Sequence, residues 1–467
     1  MKQTSICIAL LLCILLVSFP LTIYGDEPQV NTQTNTIDTI NETINSIPSD
    51  WPSAPDIESE AAIVVEVNSG TILYGKNATK SMYPASTTKL MTALLTVENT
   101  SLNDVVTFSS KAVHSLPAGS SHIGLRAGEK LTVEDSLYGL LLPSANEVAN
   151  GLAEHIGGSI DNFVTMMNER ATSLGAVNTH FQNANGLSDS NHTTCAYDLY
   201  LIMNEAIKYP SFLRIDSTPT YVRPADELLN KTIPMGSTHQ MLRTNSPYYN
   251  PYVVAGKTGY TPEANRCLVT YAVKDDMKLI IVVLHAPDGK QYEDTNALME
   301  YGFEQFKLVR PSEQDSQYSN NSLSTSTPLQ IPQQVVSLAE VNSKSQLILP
   351  RNASFSDLEK QALTSTETTT LSNIQYFYHG YPVGTATLLE NTNQNTNDLF
   401  VSTSLSNPYI NNAKQLYIIQ LWHLLIIFIV IIGIICYTHI TKRVSHGNHV
   451  TKKRKKIRFS KQLKRTL

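Results

Sequence analysis

An α+β fold is predicted for the central part of this 467-residue chain. Three observations predict it: apolar strand-like runs open and close the region, a mostly helical stretch separates them, and a last helix follows. In order, residues 61–67 and 71–74 flank the turn Asn68-Ser69-Gly70, the pattern of a β-hairpin. Pro84-Ala85-Ser86 then leads into an apolar run over 87–97, with proline just ahead of a helix start. Helical runs follow over 133–142, 147–155, 160–174 and 196–208. Strand patterns return at 267–273 and 278–284, joined by Lys274-Asp275-Asp276, and the final helix spans about 293–307.

The charge is segregated. The net value of -5 conceals a tail, residues 439–467, with 11 Lys and Arg and no acid. Without that tail and Lys2, the body holds 23 basic residues against 40 acidic ones. An acidic body with a detached basic end argues against nucleic-acid binding and for a membrane. Residues 1–25 read as a signal peptide: Lys2, an apolar core, then Ile23-Tyr24-Gly25. Residues 416–438 read as one transmembrane helix, with Tyr417, Trp422 and Tyr437 near its ends and the basic tail 439–467 on the cytoplasmic side. The body is therefore expected on the extracytoplasmic face, with the bilayer as a partner through 416–438.

Composition divides what lies between. Residues 26–56 are polar, rich in Asn and Thr, and read as a flexible linker; 57–310 form the main domain; 311–329 form a second linker. A small β-rich domain is expected over 330–390, from strand-like runs at 335–338, 346–349 and 375–378 and a hairpin through His379-Gly380 into 382–388. Residues 391–415 read as a stalk. Two cysteines fall in the exported part, Cys195 and Cys267, too few for a disulfide framework. They read as two buried thiols, with one bridge the alternative.

Three motifs carry the chemistry. Ser86-Thr87-Thr88-Lys89 puts a hydroxyl and an amine three residues apart at a helix start, on one face. A serine hydroxyl needs a base to become a nucleophile, and lysine serves only when neutral, a state favoured by burial and by a second cation. Ser144-Ala145-Asn146 offers a further hydroxyl and an amide for a relay. Lys257-Thr258-Gly259 follows an apolar run and supplies the second cation, a hydroxyl donor, and a glycine where a substrate backbone can approach. Each motif alone is weak. Together, in this order and 58 and 113 residues apart, they form the set of penicillin-binding proteins and class A β-lactamases.

Residues 61–306 resemble the low-molecular-mass penicillin-binding proteins that act as serine-type D-Ala-D-Ala carboxypeptidases of the peptidase S11 family. The resemblance rests on Pro84-Ala85-Ser86-Thr87-Thr88-Lys89-Leu90-Met91, Leu142-Pro143-Ser144-Ala145-Asn146-Glu147, Asn183-Ala184-Asn185-Gly186-Leu187 and Gly256-Lys257-Thr258-Gly259-Tyr260-Thr261. It implies a β-lactamase/transpeptidase-like catalytic domain, an antiparallel sheet with a helical insertion. It also implies Ser86 as acyl-ester nucleophile, Lys89 as general base, and Ser144 and Asn146 as the second catalytic element. Lys257, Thr258 and Gly259 would bind substrate, and the backbone N–H groups of Ser86 and Tyr260 would form the oxyanion hole. Peptidoglycan stem peptides are the implied substrates and β-lactams the covalent inhibitors; no cofactor or metal is implied. Two positions depart from the family pattern. Gln291 stands where an arginine is frequent, with Lys290 beside it, and Asn265 stands where a glycine is usual.

Three alternatives compete. A class A β-lactamase would need a loop glutamate, and the available one, Glu169, lies in a helical run. A D,D-endopeptidase would share the scaffold and differ in its groove. A non-catalytic wall-binding or antibiotic-sensing protein would not need Ser86, Lys89 and Lys257 together. Metal-dependent hydrolysis lacks a His-Glu-x-x-His motif.

Overall fold

A computed structural model describes residues 32–315, 339–363 and 370–390. The expected signal peptide, the strand at 335–338, the stalk, the membrane span and the basic tail lie outside the described residues. Among the described residues no helix is long and apolar enough to cross a membrane.

The chain begins with helix α1 (Thr32–Asn45), then strands β1 (Ala61–Glu66) and β2 (Ile72–Lys76). A 3₁₀ turn, Ala85–Thr88, runs into α2 (Lys89–Asn99). The helical insertion continues through β3 (Val105–Thr107), α3 (Ser110–His114), β4 (Lys130–Thr132), α4 (Val133–Leu141), α5 (Asn146–Gly157), α6 (Ile160–Ser173), α7 (Ala196–Ala206) and α8 (Pro210–Asp216). Strands β5 (Thr220–Arg223) and β6 (Ile233–Gly236) form a small ribbon before β7 (Val253–Thr261), β8 (Asn265–Lys274), β9 (Met277–Ala286) and α9 (Lys290–Gln305). β10 (Phe306–Val309) and α10 (Pro311–Gln314) lead to a β module of β11 (Ala339–Val341), β12 (Leu347–Pro350), β13 (Leu358–Leu363), β14 (Thr370–Tyr378) and β15 (Tyr381–Glu390).

The main sheet is antiparallel in the order β2-β1-β9-β8-β7, which leaves β7 as an edge. β1 reads as an unbroken apolar run because both of its faces are covered. Ala61, Ile63 and Val65 enter the core shared with the helical insertion. Ala62 and Val64 enter a second core built from α9, β10 and the β module. β9 divides in the same way, with Ile280, Val282 and Leu284 on the first side and Leu279, Ile281 and Val283 on the second. The predicted α+β order is observed, with the helical insertion between β2 and β7.

The flexible linker expected over 26–56 is corrected by the structure. Residues Thr32–Asn45 are helical, and Ile40 and Ile44 pack against the first core. Gly75 makes room for this, since a Cβ there would lie 2.9 Å from Ile44 Cδ1. Trp51 is 7% exposed, its ring 5.0 Å from those of Phe306 and Tyr381, and its Nε1 donates to the Leu73 carbonyl at 3.0 Å. The segment binds because apolar residues spaced along a polar stretch of sequence (Ile40, Ile44, Trp51) find apolar surface elsewhere in the chain.

Two further boundaries shift. The linker expected from 311 starts as a helical turn, and Asp315 is buried against Lys360 Nζ (2.7 Å) and Tyr376 Oη (2.9 Å). The final helix, expected to run to about 307, ends at Gln305, and Phe306–Val309 form β10, which pairs antiparallel with β12 of the β module. The β14–β15 hairpin turns at His379-Gly380, both with positive φ.

Candidate active site

Three backbone irregularities place the site. Ala85 has φ +47°, a left-handed conformation that costs a non-glycine residue about 1–2 kcal/mol. Gly186, at φ +86°, sits so close that a Cβ would fall 1.9 Å from the Ala85 carbonyl oxygen. Gly259 on β7 is similarly crowded: a Cβ there would fall 2.9 Å from the Pro84 carbonyl oxygen and 3.2 Å from the Ser86 nitrogen. The strained turn is thus clamped between two glycines, one from the loop after α6 and one from the edge strand. Strain held by its surroundings in this way is a mark of a functional turn. The clamp also brings Ser86 and Tyr260, whose backbone N–H groups the sequence resemblance implies as an oxyanion hole, into one wall of the same cleft.

Lys89 opens α2 and is fully buried. Its Nζ donates to Ser86 Oγ at 3.0 Å, to Asn146 Oδ1 at 2.7 Å and to the Asn185 carbonyl at 2.5 Å. Burial pulls its pKa well below the ordinary lysine value; the charge of Lys257 pulls the same way, and Glu147 opposes them. The base expected from the Ser-x-x-Lys spacing is thus within hydrogen-bond reach of the hydroxyl, in an environment that favours its neutral form.

Ser144 precedes α5 with φ +64° and is buried, and its Oγ has no hydrogen-bond partner among the described residues. Asn146 starts α5; its backbone N–H donates to the Ser121 carbonyl at 2.8 Å while its side chain holds Lys89. Glu147 accepts from the Ile123 N–H at 2.7 Å, which ties the 121–123 loop to the same helix.

Lys257 lies in the middle of β7 and is fully buried, its Nζ donating to the Thr258 carbonyl at 3.0 Å. Burial lowers its pKa to about 8, against the opposing charge of Asp216. Asp216, at the end of α8, is pushed up to about 7 by burial and accepts the Gly256 N–H at 2.8 Å. His239 is also buried beside this lysine; burial, then Lys257, brings it down to about 3, so it is neutral. Thr258 turns the other way, into the cleft, with its Oγ1 2.6 Å from Thr238 Oγ1.

These groups surround a half-open cleft of 650 Å³, walled by Ser86, Ser121, Ser144, Thr258, Tyr260 and the start of α9. The structure therefore brings Ser86, Lys89, Asn146 and the Asn185 carbonyl together, with Ser144, Thr258, Gly259 and Tyr260 on the cleft wall. Lys257, fully buried on the side of β7 that faces the helical insertion, acts on Lys89 through its charge. Lys290, expected as a stand-in cation, points elsewhere and pairs with Glu58 (2.9 Å) and Glu293 (2.7 Å). The cation that does line the cleft is Arg266, which sequence reasoning missed, together with Asp216 and Thr238. Asn265 tolerates its glycine-like position because asparagine accepts φ +53° more readily than most residues. Glu169 is exposed on α6, away from the cleft. Cys195 and Cys267 are both free and buried, and burial pushes the Cys267 thiol up to about 12, which makes it inert. Among the described residues no His, Cys, Asp and Glu cluster has a metal-ligand arrangement.

Comparison with known proteins agrees with this geometry. Residues 49–288 match the peptidase S11 family, described as D-alanyl-D-alanine carboxypeptidase. The D-alanyl-D-alanine carboxypeptidase DacF of Bacillus subtilis is 34% identical over 256 residues, 54% of this chain and 63% of the relative. DacB2 of Mycobacterium tuberculosis is 31% identical over 257 residues, 53% of this chain and 84% of that protein. The crystal structure of a D-alanyl-D-alanine carboxypeptidase from Mycobacterium tuberculosis superposes with a TM-score of 0.50 and 29% identity, covering 55% of this chain and 95% of that one. The chain belongs to the D-alanyl-D-alanine carboxypeptidase family, peptidase S11.

Proposed function

We propose that the chain is a serine D-alanyl-D-alanine carboxypeptidase that trims the terminal D-Ala from peptidoglycan stem pentapeptides through a Ser86 acyl-enzyme. The observation that carries this reading is the 3.0 Å contact between Ser86 Oγ and a fully buried lysine amine whose protonation is disfavoured. Ser86 Oγ attacks the carbonyl carbon of the penultimate D-Ala while Lys89 Nζ takes the hydroxyl proton. The carbonyl oxygen gains the negative charge and is held by the N–H groups of Ser86 and Tyr260, a contribution typically worth about 10²–10³-fold per donor. Collapse of the intermediate breaks the C–N bond, and the proton held by Lys89 is delivered to the departing D-Ala amine through the Ser144 hydroxyl, while Asn146 Oδ1 holds the Lys89 amine in place. Water then repeats the sequence on the ester and frees Ser86. Burial, and then the charge of Lys257, disfavour the protonated form of Lys89. A β-lactam would acylate Ser86 too, with its leaving group still tethered.

The ectodomain is proposed to stand outside the cell membrane, held by residues 416–438 with the basic tail in the cytoplasm. The apolar span, its flanking aromatic residues and the charge asymmetry support this topology. Protease added to intact protoplasts should remove the body and spare the tail; loss of the tail would refute it. For the activity, full-length protein incubated with a peptide ending in D-Ala-D-Ala should release D-Ala, and Ser86→Ala should release none. Penicillin should add one covalent equivalent to the peptide containing Ser86. Release by Ser86→Ala at the wild-type rate would overturn the assignment.

A further inference from the structure

The two sides of β7 differ in chemistry. Lys257 and Gly259 face the side of the helical insertion, where Ala255, Cys267 and Val269 join the first core. Thr258 and Tyr260 face the side of α9, where Leu268, the register partner of Thr258, joins the second core. Arg266 is the register partner of Tyr260 and so shares this second side. Lys257 is fully buried and Lys290 is engaged with two glutamates outside the cleft. Among the described residues that line the cleft, Arg266 is the one cation.

Its placement is specific. The guanidinium carbon lies 4.1 Å from the centroid of the Tyr260 ring, and Nε lies 2.7 Å from Asp288 Oδ1. Stacking on Tyr260 holds the plane of the fork while Asp288 lies on its Nε side, so its two terminal NH₂ groups remain for a ligand. Polar groups gather on the same wall. The Thr238 and Thr258 hydroxyls meet at 2.6 Å. Gln291, in the first turn of α9, is 5% exposed, lines the cleft, and its side-chain oxygen has no partner among the described residues. A buried amide without a partner is costly unless a ligand completes it, and turning the amide would present two N–H donors there. α9 itself, 16 residues long, directs its N-terminus to this end of the cleft behind Gly289, which provides no side-chain cap.

A guanidinium, two hydroxyls and a helix N-terminus on one wall favour an anion, and the Gln291 amide joins them once turned; the Asp288 carboxylate on this wall sits on the Arg266 Nε side. Resting on the carboxypeptidase reading, we infer that Arg266 is the specificity-determining cation for the free C-terminal carboxylate of the substrate, with Thr258 and Gln291 as its polar partners. Lys257 then serves the site as a buried charge, and the exclusion of substrates without a free carboxylate lies with Arg266.

The test compares full-length wild type, Arg266→Gln and Arg266→Lys on three acyl donors. These are a peptide ending in D-Ala-D-Ala, the same peptide as its C-terminal amide, and a D-alanyl thioester with an uncharged leaving group. Arg266→Gln should lower kcat/KM for the free acid about 10- to 100-fold, the range for a lost charged hydrogen bond. Rates on the amide and the thioester should stay unchanged, and Arg266→Lys should recover part of the loss. Wild-type preference for the free acid retained in Arg266→Gln would overturn the inference. So would an equal loss on all three donors, the mark of a structural role. A wild-type protein that reacts with none of the donors would instead overturn the carboxypeptidase reading, and the inference with it.

Discussion

Two buried lysines stand in one site and do different work. Lys89 has three acceptors around its amine, Ser86 Oγ, Asn146 Oδ1 and the Asn185 carbonyl, and no carboxylate bonded to it. Lys257 has one backbone acceptor and Asp216 nearby. Both lose charge through burial, but Lys257 retains enough opposing support to titrate at about 8, while Lys89 is driven well below the ordinary lysine value in part by Lys257 itself. The contrast teaches that burial alone does not make a base. For Lys257 the charge of Asp216 opposes burial, whereas for Lys89 the like charge of Lys257 adds to burial and Glu147 opposes them.

The largest expected effect breaks the base side of this contrast. Lys89→Ala should lower the rate of acylation by penicillin by about 10⁴-fold, the upper end for a general base, with the far-UV circular dichroism of wild type. Acylation at the wild-type rate would mean that another group takes the Ser86 proton. Next is the clamp that aligns the hydroxyl with that base. Gly186→Ala forces a Cβ against the Ala85 carbonyl at a positive φ. It should reduce kcat/KM by about 10²-fold, as a misplacement near 1 Å does, with a fall in Tm read in the same preparation.

Lys257→Met sharpens the comparison through pH. In wild type the rate should rise as Lys89 loses its proton and fall above about pH 8 as Lys257 loses its charge. Without Lys257 the repulsion on Lys89 disappears, so the Lys89 pKa rises and the acid limb moves to higher pH, by roughly one unit. The alkaline limb should vanish. A stability difference should accompany this. The folded-state pKa of Lys257 is depressed, so its burial costs most below pH 8 and the cost fades as pH rises towards the unfolded value near 10.5. The Tm of Lys257→Met relative to wild type should therefore be greatest near neutrality and decline in alkali. The smallest effect is expected from Glu147→Gln, which removes the charge that raises the Lys89 pKa while an amide oxygen can still accept from Ile123. Its acid limb should move the other way, to lower pH, by about half a unit. A shift to higher pH would show that Glu147 acts through the loop it ties rather than through its charge.

What was legible in the sequence was local. The hairpin of β1 and β2, the helices over 133–142 and 196–208, and the β8–β9 pair could be read because apolar periodicity and turn residues are decided within a few positions. Ser86 and Lys89 could be paired because three residues on a helical turn fix their face, and Asn265 could be marked as a departure from the family's glycine, although its left-handed φ of +53° emerges only in the structure. The polar composition of 26–56 misled for the same local reason: its few apolar residues bind partners far away in sequence, Trp51 against Phe306 and Tyr381. Arg266 gave no signal, since its place in the cleft comes from its pairing with Tyr260 and from Asp288 arriving after another strand. Asp216 likewise reaches the Gly256 N–H only when α8 packs behind β7. By itself the sequence determined which groups are chemically able to attack, to accept a proton and to carry charge. Only the tertiary structure decided how strongly each lysine's charge is disfavoured and which cation faces the cleft, because burial and the distance between charges are properties of segments that meet only on folding.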